Sequence, residues 1–523
     1  MSVQELEKEQ EPKQAAFGLT GWLRWGWRTL TSMRTALILL FLLALGSVPG
    51  SLVPQRGVEP DKVARLYEQN PTLAEWYDRF QLFEVFTSTW FAAVYLLLFT
   101  SLIGCIIPRT ATYLRELRRK PPAAPKNLSR LPHFASFEGD LDVEKTARRL
   151  RKLRFRVETG DGWVSAEKGY LRETGNLFFH IALLGILLAI GAGSLYGYRG
   201  NVLVVEGDGF ANTVAAYDRY IPGNQVSAES LEPFSFQLTD FKVSYQVTGD
   251  KKGQALDYSA YLKVNDSPDA PAKDFELKVN TPLEVNGTQT YLIGNGYAPV
   301  FKVTDGKGQV AFEGAVPCLI EDKATMTSGC VVKAPDAQPE QLGFLLRFLP
   351  TSVPLTDGTY ASAFPGELNP EVQLIGAFTG DLGLRSGKPQ SVYELAPPEV
   401  MKKLTPLVMG TNVPKPLAVG QSVDLPKGAG KLEFVGVKQW ITLQIAHDPG
   451  RVPALVFAGT AVVAIALSLM IRRRRVFVRV KEGPDGGRAE VGGLTRTEGS
   501  AAGFAEEFAD IVKVLSAGEK HVR

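Results

Sequence analysis

Four uncharged apolar runs set the strongest limit on what this chain can become. They extend from Thr35 to about Val53, Trp90 to Ile107, Leu177 to Tyr196 and Val452 to Ile471, and none holds a Lys, Arg, Asp or Glu. A helix needs about 20 apolar residues to cross a bilayer core, so each run reads as a transmembrane helix. Bulk averages conceal this: the 523 residues are 45% apolar and 22% charged, with a mean hydropathy of −0.02. That apolar content excludes general disorder, and three cysteines exclude a disulfide scaffold. A net charge of +3 makes no case for nucleic acid. The first run does not read as a cleavable signal peptide, because more than thirty residues precede it and Pro54-Gln55 follows without a small-residue cleavage pattern.

Basic residues beside the runs predict orientation. Residues 108–175 carry 16 Lys/Arg against 9 Asp/Glu, clustered at Arg115, Arg118, Arg119 and Lys120. Arg472-Arg473-Arg474-Arg475 follows the fourth run. Before the first, Arg24, Arg28 and Arg34 interleave with Trp22, Trp25 and Trp27, which suits a segment lying in the membrane interface. Four spans place all three basic regions on one side, the cytoplasm, with both termini there. The expected division is a tail with an interfacial segment (1–33), spans at 34–53, 90–107, 176–196 and 452–471, an outer loop (54–89), a basic cytoplasmic α/β loop (108–175), an extracytoplasmic β domain (197–451) and a cytoplasmic tail (472–523). The expected fold class is therefore an integral membrane protein with four transmembrane helices, a large extracytoplasmic all-β domain and a small cytoplasmic α/β unit.

Inside the basic loop, Phe134–Phe137, Phe155–Val157 and Trp163–Ala166 read as strands and Asp142–Lys152 as a helix. The tail reads as polar and Gly-rich, with one short helix over Phe504–Leu515. In the large domain, alternation at Phe234/Phe236/Leu238, Phe275/Leu277/Val279 and Ile441/Leu443/Ile445 predicts strands. Asn286-Gly287, Asp305-Gly306 and Asp357-Gly358 are turn signals. A twisted sandwich or pair of packed sheets follows.

The chain has no Gly-x-Ser-x-Gly elbow, phosphate-binding loop, His-Glu-x-x-His or paired-cysteine zinc pattern, so catalysis by this chain alone is not expected. Of four histidines, His180 falls inside the third run, roughly 5–8 Å below the interface at the helical rise. An ionisable group there marks a functional site. Neutral imidazole is a good haem-iron ligand; the competing reading is a hydrogen bond to a neighbouring helix. Gly185, Gly191 and Gly193 would admit a partner helix. Cys105 reads as a small buried thiol, or as a soft contact near His180. Cys318 and Cys330, twelve positions apart, read as a structural disulfide, a redox pair or two free thiols. His447, in His447-Asp448-Pro449-Gly450, reads as incidental beside a helix start. His133 and His521 have no ligand-like companions.

Several ordered segments together resemble the ResB family of System II cytochrome c biogenesis. They are Gly50-Ser51-Leu52-Val53-Pro54-Gln55, Thr89-Trp90-Phe91, Cys105-Ile106-Ile107-Pro108-Arg109, Glu167-Lys168-Gly169 leading through Gly175 to Phe179-His180, Asn280-Thr281-Pro282-Leu283 with Gly287 and Tyr291, and Asp448-Pro449-Gly450 before the arginines. The resemblance implies a plasma-membrane subunit of a haem-export and haem-attachment complex, a cytochrome c synthetase (haem lyase). His180 would be an axial ligand to the iron of haem b in transit. Partners implied are a CcsA (ResC)-like membrane protein, apocytochrome c and a thiol-reducing thioredoxin-like protein, besides the lipid bilayer itself; no nucleic acid is expected. With no other histidine in a span, a second ligand must come from a partner. Cys318 and Cys330 fall outside the pattern. Two other readings stand against this one: a membrane-tethered extracellular binding module without haem, and a transporter subunit for a small solute.

Overall fold

The computed structural model describes residues 18–57, 59–138, 141–170, 172–387, 390–409, 415–481, 487–495 and 501–517. The chain divides into two compact units, residues 1–191 with 450–523, and residues 192–449.

The first unit holds helices α1 (Leu19–Leu30), α2 (Met33–Leu52), α3 (Pro60–Gln69), α4 (Pro71–Arg79), α5 (Thr89–Arg118), α6 (Val143–Lys152), α7 (Arg172–Tyr196), α8 (Arg451–Met470) and α9 (Ala501–Ser516), with α7 running on into the second unit. Among the described residues, α2, α5, α7 and α8 are long and apolar enough to cross a membrane. Their large apolar side chains, such as Leu37, Phe41, Leu188 and Leu455, are exposed, as lipid-facing surfaces require. Serines cap the first two: Ser32 accepts from Thr35 N and Ser88 from Phe91 N.

Two of these helices outrun their apolar sequence. α5 continues eleven residues past Ile107 to Arg118, reaching about 45 Å at the helical rise, because Leu, Arg and Glu are good helix formers. Loss of apolarity marks an exit from lipid, not the end of a helix. Similarly, α7 begins at Arg172, ahead of the apolar run. The segment 54–89, expected as a loop, contains α3 and α4, each with Pro in its first turn, folded over Val63, Ala74 and Phe83.

Small residues allow the long helices to touch. A Cβ on Gly185 would fall 2.5 Å from the Phe457 ring, and one on Gly175 2.7 Å from the Ala464 carbonyl, so α7 and α8 pack closely and antiparallel. The glycine at 185 thus serves a helix of this same chain. Tyr95 donates to the Leu187 carbonyl and Tyr113 bonds Thr174 Oγ1, tying α5 to α7 near both ends.

A five-stranded antiparallel sheet completes the first unit, in the order His133–Glu138, Arg488–Thr495, Arg474–Lys481, Trp163–Lys168, Arg156–Gly160. Two of its strands come from the segment expected to be a polar tail. Val476, Phe477 and Val478 become core once they lie beside Val164 and Ala166, some 300 positions earlier in the sequence. Helices α6 and α9 cover one face through Ala147, Leu150, Phe504, Phe508, Ile511 and Leu515. Because segments 133–168 and 474–495 share hydrogen bonds, they lie on one side of any membrane the four helices cross.

The second unit is β-rich. Two 18-residue strands, Thr288–Asp305 and Gly430–His447, pair along their whole length, with register shifts at Leu292/Gly294 and Val300/Phe301. Such bulges bend a strand, and each half packs against a different layer. Leu292, Ile441, Leu443 and Ile445 meet the four-stranded sheet that includes Ser235–Tyr245 and Ala255–Asn265. Phe301, Val303, Leu432 and Phe434 meet the six-stranded sheet that includes Thr327–Ala334 and Leu342–Leu349. Asn286 and Gly287, with φ of 49° and 76°, form the two-residue turn expected of that dipeptide.

Candidate functional site

His180 lies on α7 at one wall of a cavity of about 520 Å³ between α7 and α5, within the ~300–1,000 Å³ range typical of ligand sites. From α7, Glu173, Asn176, Leu177 and His180 line it, spaced by three, four and seven residues along one helical face. From α5 come Arg109, Thr112, Tyr113 and Glu116 at the same spacing, with Ile106 and Pro108 above them. The imidazole is partly buried, and its Nδ1 is buried without a hydrogen-bond partner among the described residues. Leaving such an atom unsatisfied costs about 1–3 kcal/mol. Among the described residues, this nitrogen makes no hydrogen bond to a neighbouring helix.

The cavity therefore combines an imidazole, a guanidinium, two carboxylates and three aliphatic side chains, Ile106, Pro108 and Leu177. Its imidazole can ligate an electrophilic centre and its guanidinium can pair with an anionic group. The sequence reading found His180 but not Arg109, Tyr113 or Glu116. Their signal was present: polar side chains repeating on one face of a helix beyond the end of its apolar run.

The other singled-out residues lie elsewhere. Cys105 Sγ donates to the Thr31 carbonyl at 2.8 Å and does not line the cavity. His133 packs edge-on against Phe504, with ring centroids 5.0 Å apart. His521 lies outside the described residues. Cys318 and Cys330 are disulfide-bonded and buried in the second unit. His447 is more embedded than an incidental residue would be. Its ring stacks on Tyr198 at 5.7 Å, and Thr288 Oγ1 lies 3.4 Å from its Nδ1. Tyr198 in turn bonds Thr288 and Asn212. No group of three or more metal-ligating side chains occurs among the described residues.

Below the cavity, Glu167 joins the arginine run to the sheet. Its carboxylate is 2% exposed and accepts from Arg473 Nε at 2.5 Å and Arg475 Nε at 3.3 Å. Two residues on, Gly169 adopts φ of +78°, and a Cβ there would lie 2.0 Å from the Arg472 carbonyl oxygen. Only glycine fits. This contact fixes how α7 and α8 leave adjacent strands, and it explains why Glu, Gly and Arg occur together at these positions.

Residues 33–509 match the ResB-like family. The chain belongs to that family. It is 27% identical over 271 residues to the cytochrome c biogenesis protein CcsB of Synechococcus sp. strain CC9902, covering 50% of this chain and 59% of that relative. With the protein of the same name from Synechococcus sp. strain RCC307 it shares 26% identity over 285 residues, covering 52% and 60%. With that of Trichormus variabilis it shares 24% over 305 residues, covering 54% and 64%. The match thus spans less than two thirds of these relatives. As a ResB-like protein with four apolar helices, it is a membrane protein. The resemblance read from the ordered motifs is confirmed by the family match.

Proposed function

We propose that this ResB-like protein serves cytochrome c biogenesis as a haem-carrying membrane subunit, with His180 as one axial ligand to the iron of haem b in transit. The observation that carries the reading is the unpartnered imidazole nitrogen inside a ligand-sized cavity between two spans. Neutral imidazole binds haem iron, and ligands of this kind are oriented by their surroundings. Arg109, on the facing α5 wall of the cavity, would pair with a propionate.

The sheet-bearing side is the cytoplasm in this reading, because the basic residues concentrate there. Both termini then lie inside, in the plasma membrane, and residues 197–451 face outward as a scaffold for apocytochrome c. One histidine in the spans leaves the sixth iron position to a CcsA/ResC-like partner, and a thioredoxin-like protein would keep apocytochrome thiols reduced. In this reading the chain acts as a subunit of a haem lyase and does not catalyse haem attachment alone.

The test is the visible spectrum of the protein purified with its partner. Wild type should carry a haem Soret band, and His180→Ala should lose most of it. A colourless wild type would instead favour an outward-facing binding module without haem.

A further inference from the structure

A second cavity, of about 480 Å³, lies where α5 and α8 meet the five-stranded sheet. Arg119 and Lys120 reach it from just beyond α5, Arg156 from the sheet, and Arg473 and Arg475 from just beyond α8. Five cations face two carboxylates, Glu116 and Glu167. We propose that this pocket binds the phosphodiester headgroup of an anionic phospholipid.

The donors are poised and under-used. Glu167 engages Arg473 and Arg475 only through Nε, so neither terminal pair of guanidinium nitrogens has a hydrogen-bond partner among the described residues. Arg156 gives its terminal nitrogens to the carbonyls of Leu117 and Arg119, yet its Nε is buried without a partner. Arg119 makes no side-chain hydrogen bond or ion pair among the described residues, while Lys120 is paired with Glu158 at 2.7 Å. Forked guanidiniums suit phosphate oxygens, which accept two parallel hydrogen bonds.

Position selects the source of the phosphate. Arg473 follows the last residue of α8 by three positions, so the pocket opens beside α8 at the level where that apolar helix gives way to polar sequence, while α5 runs on past its apolar part and brings Arg119 to the same pocket. Lipid headgroups occupy that level, and basic pockets between span ends are attractive sites for them. Glu116 also lines the His180 cavity, so a lipid held here would border that site. The inference does not depend on whether His180 binds haem.

Native mass spectrometry of the full-length protein tests it, using dioctanoyl phosphatidylglycerol, dioctanoyl phosphatidylcholine and sn-glycerol 3-phosphate as probes. One phosphatidylglycerol should be retained per chain, and phosphatidylcholine should not. Arg119→Gln/Arg475→Gln should weaken retention by about tenfold or more, the loss expected for charge-assisted bonds. Arg119→Gln alone, which breaks no side-chain bond among the described residues, should weaken it by at least about threefold. Arg24→Gln/Arg28→Gln, with equal charge lost from α1, should leave retention unchanged. Equal retention of phosphatidylcholine, or equal loss in the α1 control, would overturn the proposal. So would glycerol phosphate binding as tightly as the lipid, since the pocket would then serve a soluble phosphate.

Discussion

Glu167 shows what one residue does for the attachment of two spans. It is the buried carboxylate between Arg473 and Arg475, which are themselves partly buried. Removing one partner from a buried ion pair leaves uncompensated charge and costs about 3–5 kcal/mol. Glu167→Ala should therefore lower stability by about 3 kcal/mol, visible as a reduced thermal midpoint; a change under about 1 kcal/mol would contradict this role. Asp305 is the corresponding case in the β-rich unit. Its carboxylate accepts backbone N–H bonds from Lys307, Gln309 and Gln338, and these hold its pKa below the ordinary 3.8. A carboxylate with a depressed pKa contributes stability that is fully present above its unfolded value. That contribution is lost as pH falls through the folded value. Amide exchange at those three residues should thus rise below pH 3.8 in wild type. In Asp305→Asn the acid-dependent rise should be absent; an equal rise there would assign the effect to other groups.

At the scale of elements, the apolar helices were legible because a span is a local property: an uncharged run of the right length carries its own signal. Strand alternation at Ile441, Leu443 and Ile445 was legible for the same reason, and all three are fully buried. The strands Arg474–Lys481 and Arg488–Thr495 were not. They read as an arginine run followed by a Gly-rich tail until partners distant in sequence supply both edges. Half of the cavity was missed for a related reason. His180 stands out as a histidine among apolar residues, whereas Arg109 and Glu116 look like ordinary solvated residues until α7 is set against α5. The sheet arrangement makes a prediction of its own. Ending the chain at Ile471 removes both strands that join the Glu138 and Trp163 edges, so residues 128–168 should become sensitive to limited proteolysis. Protection equal to that of the full chain would show that the sheet folds without them.

For the whole molecule, the chain threads one sequence through two environments. It leaves the first unit along α7, builds the β-rich unit, and returns at α8, with the paired strands Trp163–Lys168 and Arg474–Lys481 anchoring the outgoing and returning helices. Such a frame can hold a cavity steady between spans. The proposed haem-carrying role requires His180 to act as a ligand and not merely as a packing residue. Chemical rescue tests this most directly: the visible spectrum of purified His180→Gly, co-expressed with its partner, with and without imidazole. Without imidazole the haem band should be lost or displaced, and added imidazole should restore the wild-type spectrum. A wild-type spectrum in the glycine variant before any imidazole is added would contradict it.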